Sequence, residues 1–162
     1  MRAIDRTLVD EVWREMTAFA PARIADEAQA FLARQPHAAA FAQSVTRQFD
    51  PAVQKAGLGL AFLLFKILEA SLGRPFPELA EPRVLEAYAG TQAWLEQWEG
   101  APPADVLLAL GQAEHASLAA YILDVFYAGG GAPGDYDETV RASLYCLLKT
   151  LTEALDLGHV ES

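Results

Sequence analysis

Residues 50–73 read DPAVQKAGLGLAFLLFKILEASLG, and this stretch decides the fold class. Asp50 and Pro51 form the clearest helix start in the chain. A carboxylate accepts hydrogen bonds from free N-terminal amides, and proline lacks the N–H that the first helical position would leave unpaired. Gly73 is a typical C-terminal stop. The residues between are apolar or small on nearly every side, which predicts a helix surrounded by protein.

A second stretch has the same character. Residues 105–127 read DVLLALGQAEHASLAAYILDVFY. We therefore expect two central apolar helices, at about 51–72 and 105–127, with the other helices wrapped around them. Gly57, Gly59 and Gly111 lie inside these helices, where glycine costs about 1 kcal/mol relative to alanine. Close approach of two helices would explain them, as would a flank covered by a second copy of the chain.

Helix start and stop signals divide the whole chain into about seven helices. The remaining five are expected near residues 7–18, 22–34, 36–49, 82–100 and 135–158, and most of them carry one apolar stripe. Thr7 and Asp10 resemble a capping box at the first of these. The chain has 31 Ala and 22 Leu against 20 β-branched residues, which favours helix over strand. These patterns predict one all-α domain over residues 1–162.

Cysteine usage and hydropathy bear on the compartment. Cys146 is the only cysteine, so no intramolecular disulfide can form. The first thirteen residues lack the apolar core of a secretory signal. The most apolar run, 58–65, ends at Lys66 and is far shorter than the ~20 residues that a bilayer crossing needs. We expect a cytoplasmic protein without a membrane anchor.

Charge divides the chain into two unlike parts. The net charge is −10, and residues 81–162 carry all of it, because residues 1–80 hold equal numbers of acidic and basic side chains. No cluster of Lys and Arg is present to neutralise phosphates, so we expect no nucleic-acid binding. The acidic part suits a solvated surface, and it also suits a docking face for a basic protein partner.

Three polar residues inside the second apolar stretch are the candidate ligand contacts. Glu114 falls on an apolar stripe, His115 lies on the adjoining flank, and Gln112 precedes His115 by three residues, so their side chains can meet. A buried carboxylate is costly unless it is paired, and its pKa would rise. Such groups mark functional sites more often than chance. A structural role at a helix crossing and a contact to a small molecule both remain open.

Neither a metal nor a covalent mechanism is expected. Di-iron helical bundles need two Glu-x-x-His elements, and the chain contains none. Its three histidines and one cysteine stand in unrelated contexts, which makes a structural zinc site improbable. Cys146 has no activating histidine or cation beside it in the sequence and is interpreted as a buried structural thiol. We therefore expect no cofactor and no catalytic residue.

The absence of a catalytic constellation favours a non-catalytic helical protein that acts through self-association or protein–protein interaction. A homodimer is expected, with its contact on the neutral first half and the helix at 51–72 at its centre. The alternative is a protein that binds, or an enzyme that acts on, a small apolar ligand. Its pocket would lie between the two central helices, near Glu114 and His115.

Overall fold

The chain folds into helices alone throughout the part that the structure describes. A computed structural model describes residues 2–111, 117–128 and 138–155, of which 80% are helical and none lies in a strand. The eight helices in these ranges are α1 (Arg6–Thr17), α2 (Pro21–Arg34), α3 (Pro36–Thr46), α4 (Pro51–Leu72), α5 (Glu81–Glu96), α6 (Pro103–Gly111), α7 (Ser117–Ala128) and α8 (Glu138–Ala154). The predicted all-α bundle is confirmed, with eight described helices where about seven were expected.

The helix ends follow the capping chemistry at two of the three predicted places. The Asp50 carboxylate accepts from the Val53 amide at 3.0 Å, and Gly73 has the left-handed φ of 73° that favours glycine. The capping box at Thr7 is wrong. Asp5 is the N-cap of α1, and its carboxylate accepts from the Leu8 amide at 2.9 Å, so Thr7 lies inside the helix.

Helix α4 is a central helix, as predicted. Helices α1, α3, α7 and α8 pack against it, and every residue from Leu60 to Phe65 is buried. Side chains of the same chain therefore cover the middle of α4. The dimer contact expected at this helix stays a prediction.

The other central helix differs from the prediction. Helix α8 contacts α3, α4, α5, α6 and α7, whereas the predicted helix at 105–127 is described as α6 and α7. These two lie on either side of residues 112–116, which are outside the described part. On α6, the Leu108 side chain is 65% exposed, so this stretch is not covered all round.

Helix α8 was expected among the five outer helices, most of which carry one apolar stripe. Buried threonines explain the difference. The Thr150 hydroxyl pairs with that of Thr91 on α5 at 2.8 Å, and the Thr152 hydroxyl donates to the Leu148 carbonyl at 2.7 Å. A satisfied hydroxyl can be buried at little cost, so these positions behave as core.

The helical glycines have different surroundings. A Cβ built on Gly57 would lie 2.7 Å from Thr46 Cγ2, so α3 and α4 approach closely here and the predicted reason for this glycine is confirmed. Nothing lies within 4 Å of a Cβ built on Gly59, where that reason is wrong. Gly111 is the last residue of α6.

The connection at 73–80 is fastened to the first half of the chain by one side chain. The Gln35 amide donates to the carbonyls of Phe76 at 3.2 Å and Pro77 at 2.8 Å, and its oxygen accepts from the Leu79 amide at 2.9 Å. Gln35 is only 2% exposed. Its three bonds satisfy backbone groups that a loop would otherwise leave to water.

Among the described residues, no helix combines the length and the apolar character that a bilayer span requires.

Candidate binding cleft

The three residues predicted as ligand contacts, Gln112, Glu114 and His115, all lie outside the described residues. The pocket expected around Glu114 and His115 therefore stays a prediction. The helices on either side, α6 and α7, are described, and α7 packs between α1, α4 and α8.

A cleft of about 380 Å³ opens between α3, α5, α6 and α8. Eight of the described residues that line it are apolar: Phe41, Val45, Leu95, Ala101, Pro103, Val106, Ala142 and Leu147. Six others have an uncharged polar group: Ser44, Gln48, Tyr88, Thr139, Ser143 and Cys146. None of these fourteen is charged at neutral pH, and we call the site the neutral cleft.

The apolar walls of the neutral cleft contain a packed pair of rings and several half-buried side chains. Phe41 and Tyr88 meet edge to face, with ring centroids 5.1 Å apart, and fix the wall between α3 and α5. Val45, Leu95 and Val106 are only half-buried, so apolar surface in the cleft remains available for contact.

The polar groups of the cleft come from two helices and one turn. Thr139 and Ser143 are four residues apart on one face of α8, whereas Ser44 lies on α3 and Gln48 lies in the turn that follows α3. Hydroxyls and an amide can orient a ligand by hydrogen bonds without requiring that it carry charge. The arrangement suits an apolar group with few polar atoms.

The polar side-chain groups on the described walls are hydroxyls, one amide and one thiol. No histidine, carboxylate or amine lines the cleft within the described part of the chain. Burial raises the pKa of the Cys146 thiol to about 11, and the nearby Lys149 ammonium offsets this only in part. The thiol therefore stays protonated at neutral pH, and the thiolate is the reactive form. Cys146 is only half-buried and lines the cleft, so the buried structural role stays a prediction.

The densest group of paired charges among the described residues lies elsewhere, between α2 and α4. The Lys66 ammonium contacts the Glu27 carboxylate at 2.5 Å and that of Glu69 at 3.3 Å, while Arg34 bonds Glu69 at 3.0 Å. The hydrogen bond from Lys66 lowers the pKa of Glu27 against the opposing effect of burial. Each charge has a partner of opposite sign, so the group fastens α2 to α4.

Within the described ranges, no three or more His, Cys, Asp or Glu side chains come together in a way that could hold a metal ion.

Comparisons with known proteins give no relative. No protein-family model, curated protein or solved structure matches this chain.

The neutral cleft was missed at the sequence level. Its walls come from residues 41–48, 88–106 and 139–147, which are far apart in the chain and polar enough to resemble ordinary helix surface. The available signal was the run of uncharged polar residues at the edge of apolar stripes, such as Ser44 and Gln48, in a chain where 21% of residues are charged.

Proposed function

We propose that this protein acts by non-catalytic binding, and that the neutral cleft receives an apolar group of a partner protein. One observation carries the proposal. None of the fourteen described residues lining the cleft is charged, although 21% of the chain is. Binding sites for apolar groups are lined in this way, with a few neutral polar atoms to fix orientation.

The expected binding free energy of such a contact follows from the apolar surface area that it removes from water. One aromatic side chain buries about 150 Å² and contributes about 4 kcal/mol at about 25 cal/mol per Å². Even before the entropy of association is subtracted, about 4 kcal/mol corresponds to a Kd of only about 1 mM. A single anchored side chain therefore needs further contacts around it to give a stable complex.

The test is to fill the cleft and measure binding of Nile red, a neutral apolar dye. Ala142→Trp on α8 places an indole in the cleft, and Ser44→Trp does so from the exposed surface of α3. We expect both variants to lose at least tenfold in dye affinity. Ala33→Trp, on the exposed side of α2, is the matched control and should bind as the parent does.

Circular dichroism of each variant confirms that it is folded. Equal dye binding by the parent and both filled variants, with the helical spectrum intact, would show that the cleft is not the binding site.

A free small molecule is the second candidate occupant. A volume of about 380 Å³ lies within the ~300–1,000 Å³ typical of ligand sites. A ligand near Glu114 and His115 also remains a proposal. Loss of dye affinity in Glu114→Gln and His115→Gln, with no loss in Ala142→Trp, would favour that location.

Self-association is proposed through α6 rather than α4. Leu108 on α6 is the most exposed large apolar side chain among the described residues, at 65%, and Leu107 beside it is half-buried. Two copies related by a two-fold axis could cover these leucines mutually. We expect light scattering to give twice 17.6 kDa for the parent.

Leu108→Lys should then reduce the mass to that of one chain. Leu85→Lys changes a leucine on α5 that is 56% exposed and should leave the dimer intact. A parent mass of one chain at all concentrations would exclude the homodimer. The cytoplasm remains the proposed compartment, on the grounds of the single cysteine.

A further inference from the structure

A second cleft, of about 560 Å³, opens between α6, α7 and α8. No described residue lines both this cleft and the neutral cleft, because the two use different faces of α6 and α8. Three charged side chains line it: Asp124 of α7 and Glu138 and Arg141 of α8. We call this site the charged cleft, and its chemistry suits a different kind of occupant.

The apolar wall of the charged cleft is formed mainly by leucines. Leu107 and Leu108 belong to α6, and Leu123 belongs to α7. Leu123 is buried and Leu107 is half-buried, whereas Leu108 is 65% exposed. A ligand that removes such surface from water gains binding free energy in proportion to the area covered. The cleft therefore offers apolar surface on which more than one apolar side chain can rest.

The charged cleft also offers groups of both signs. Glu138 and Arg141 are three residues apart on α8, where opposite charges can pair, yet neither takes part in an ion pair within the part of the chain that the structure describes. The Arg141 guanidinium lies over the Tyr127 ring, 4.7 Å from its centroid. Stacking on a ring orients a guanidinium and leaves its in-plane N–H groups able to bind a carboxylate.

Asp124 adds a second carboxylate to the same cleft. Its contact with Arg6 of α1 is 3.7 Å long and about half exposed, and exposed pairs of this kind are weak. The pKa of Tyr145, which also lines the cleft, is raised by burial and further by the Asp124 carboxylate. The negative charge on α7 is therefore felt on the opposite wall, at α8.

We propose that the charged cleft binds a small apolar zwitterion, namely a short apolar peptide with free ends. Its carboxylate pairs with Arg141, its amino group pairs with Glu138, and its side chains cover Leu108. Arginine can hold a carboxylate by two parallel hydrogen bonds, which fixes the direction of the ligand. The volume of about 560 Å³ lies within the ~300–1,000 Å³ typical of ligand sites.

The probe is the dipeptide leucyl-leucine, with binding measured by isothermal titration calorimetry. N-acetyl-leucyl-leucine lacks the positive charge, and leucyl-leucine amide lacks the negative charge. We expect each analogue to bind the parent at least threefold more weakly than the dipeptide, the loss of one exposed ion pair. Alanyl-alanine keeps both charges but has little apolar surface, and it should bind at least tenfold more weakly.

Two variants connect each charge of the ligand to one side chain. Arg141→Gln should bind leucyl-leucine at least threefold more weakly and no longer distinguish it from its amide. Glu138→Gln should show the same loss and no longer distinguish the dipeptide from its N-acetyl form. Arg47→Gln and Glu78→Gln change exposed charges outside this cleft and should keep both preferences. All four positions are exposed, and circular dichroism confirms that each variant is folded.

The absence of measurable binding, or equal affinity for all four peptides, would overturn this inference. A second copy of the chain is the competing occupant, because the proposed dimer contact uses Leu107 and Leu108. A parent mass of two chains together with no binding of leucyl-leucine would assign the cleft to that copy.

This inference and the proposed function can fail separately, since no described residue lines both clefts. Ala142→Trp should lose affinity for Nile red and bind leucyl-leucine as the parent does. Arg141→Gln should show the reverse. Equal loss of leucyl-leucine affinity in both variants would contradict a separate site in the charged cleft.

Discussion

Gly57 is a residue at which one methyl group decides how closely two helices pack. Alanine there would place its Cβ 2.7 Å from Thr46 Cγ2, a distance at which the Thr46 side chain or the helices must shift. We expect Gly57→Ala to lower the free energy of unfolding by about 1–3 kcal/mol, as overpacked core sites do. Gly59→Ala is the matched control and should raise it by about 1 kcal/mol, because open space surrounds that position. Urea denaturation measures both.

The substitution Thr46→Ser tests whether the Thr46 methyl group causes the loss of stability in Gly57→Ala. Serine keeps the hydroxyl that donates to the Ala42 carbonyl at 2.7 Å and removes Cγ2. Combined with Gly57→Ala, it should restore most of the lost stability. A double variant as unstable as Gly57→Ala alone would place the clash elsewhere.

Cys146 is a second residue whose surroundings give it a measurable property. Its thiol pKa of about 11 means that little thiolate exists at neutral pH. Alkylation by iodoacetamide should be slow at pH 7.5 and rise about tenfold per pH unit up to the limit of folded stability. The urea-unfolded chain should instead level off near pH 8.5. A folded protein that levels off near pH 8.5 would contradict the raised pKa.

Single residues also set the limit of sequence-based prediction at helix ends. Asp50 with Pro51 and Gly73 were predicted because each acts through its own backbone geometry. Thr7 was a wrong N-cap because Asp5, two residues earlier, caps α1 equally well in chemical terms. Only the packing of Leu8 and Val9 into the core decides where that helix begins.

Helix α2 is the least firmly packed element among those described. Phe31 is its only buried residue, with its ring 5.7 Å from that of Phe62 and 5.6 Å from that of Phe65. Ile24 and Leu32 are 41% and 39% exposed. A detached helix of 14 residues is marginal in water, so local opening should unfold it.

Hydrogen exchange tests this expectation for α2. Its amides should exchange faster than those of α4 and α8 in the parent protein. Phe31→Ala should accelerate exchange in α2 at least roughly tenfold while leaving α8 unchanged. Equal acceleration in α8 would mean that α2 opens only when the whole molecule unfolds.

The ion pairs of α2 predict a dependence on pH. The pKa of Glu27 is lowered by Lys66, so its stabilising contribution is present above the ordinary pKa of a glutamate and is lost as the pH falls through the lowered value. Burial lowers the pKa of Lys66, but Glu27 and Glu69 outweigh this and raise it, so Lys66 stays charged throughout.

Glu27→Gln should therefore lower the free energy of unfolding by about 0.5–1 kcal/mol at pH 7 and by much less at pH 3. Asp26→Asn, at the exposed neighbouring position, should have little effect at either pH. A deficit in Glu27→Gln that stays constant from pH 7 to pH 3 would show that the carboxylate charge does not hold α2.

On the scale of elements, the sequence predicts where helices lie better than it predicts which helices pack against one another. The apolar character of α4 indicated a central helix correctly. The same reasoning applied to residues 105–127 overlooked α8, since periodicity treats Thr150 and Thr152 as polar although hydrogen bonds let both be buried. Pairing of hydroxyls depends on tertiary contacts such as Thr91 to Thr150, which no local pattern contains.

On the scale of the whole molecule, the candidate site forms only when separate parts of the chain pack together. The neutral cleft combines walls from three separate parts of the chain, so its shape follows from how α3, α5, α6 and α8 pack. The sequence shows an excess of carboxylates after residue 80, but a count of charges does not say where they lie relative to the cleft.

The hydrogen bonds of Gln35 to residues 73–80 bear on how readily proteases can degrade the protein. This connection is the longest non-helical segment in the described part, and most of its residues are exposed, so it is the natural place for a protease to cut. Proteases bind a substrate chain in extended form and need its backbone groups free. Gln35 occupies two carbonyls and one amide in the middle of this segment and keeps them from a protease. We therefore expect that a residue some forty positions upstream slows proteolytic cleavage at this segment.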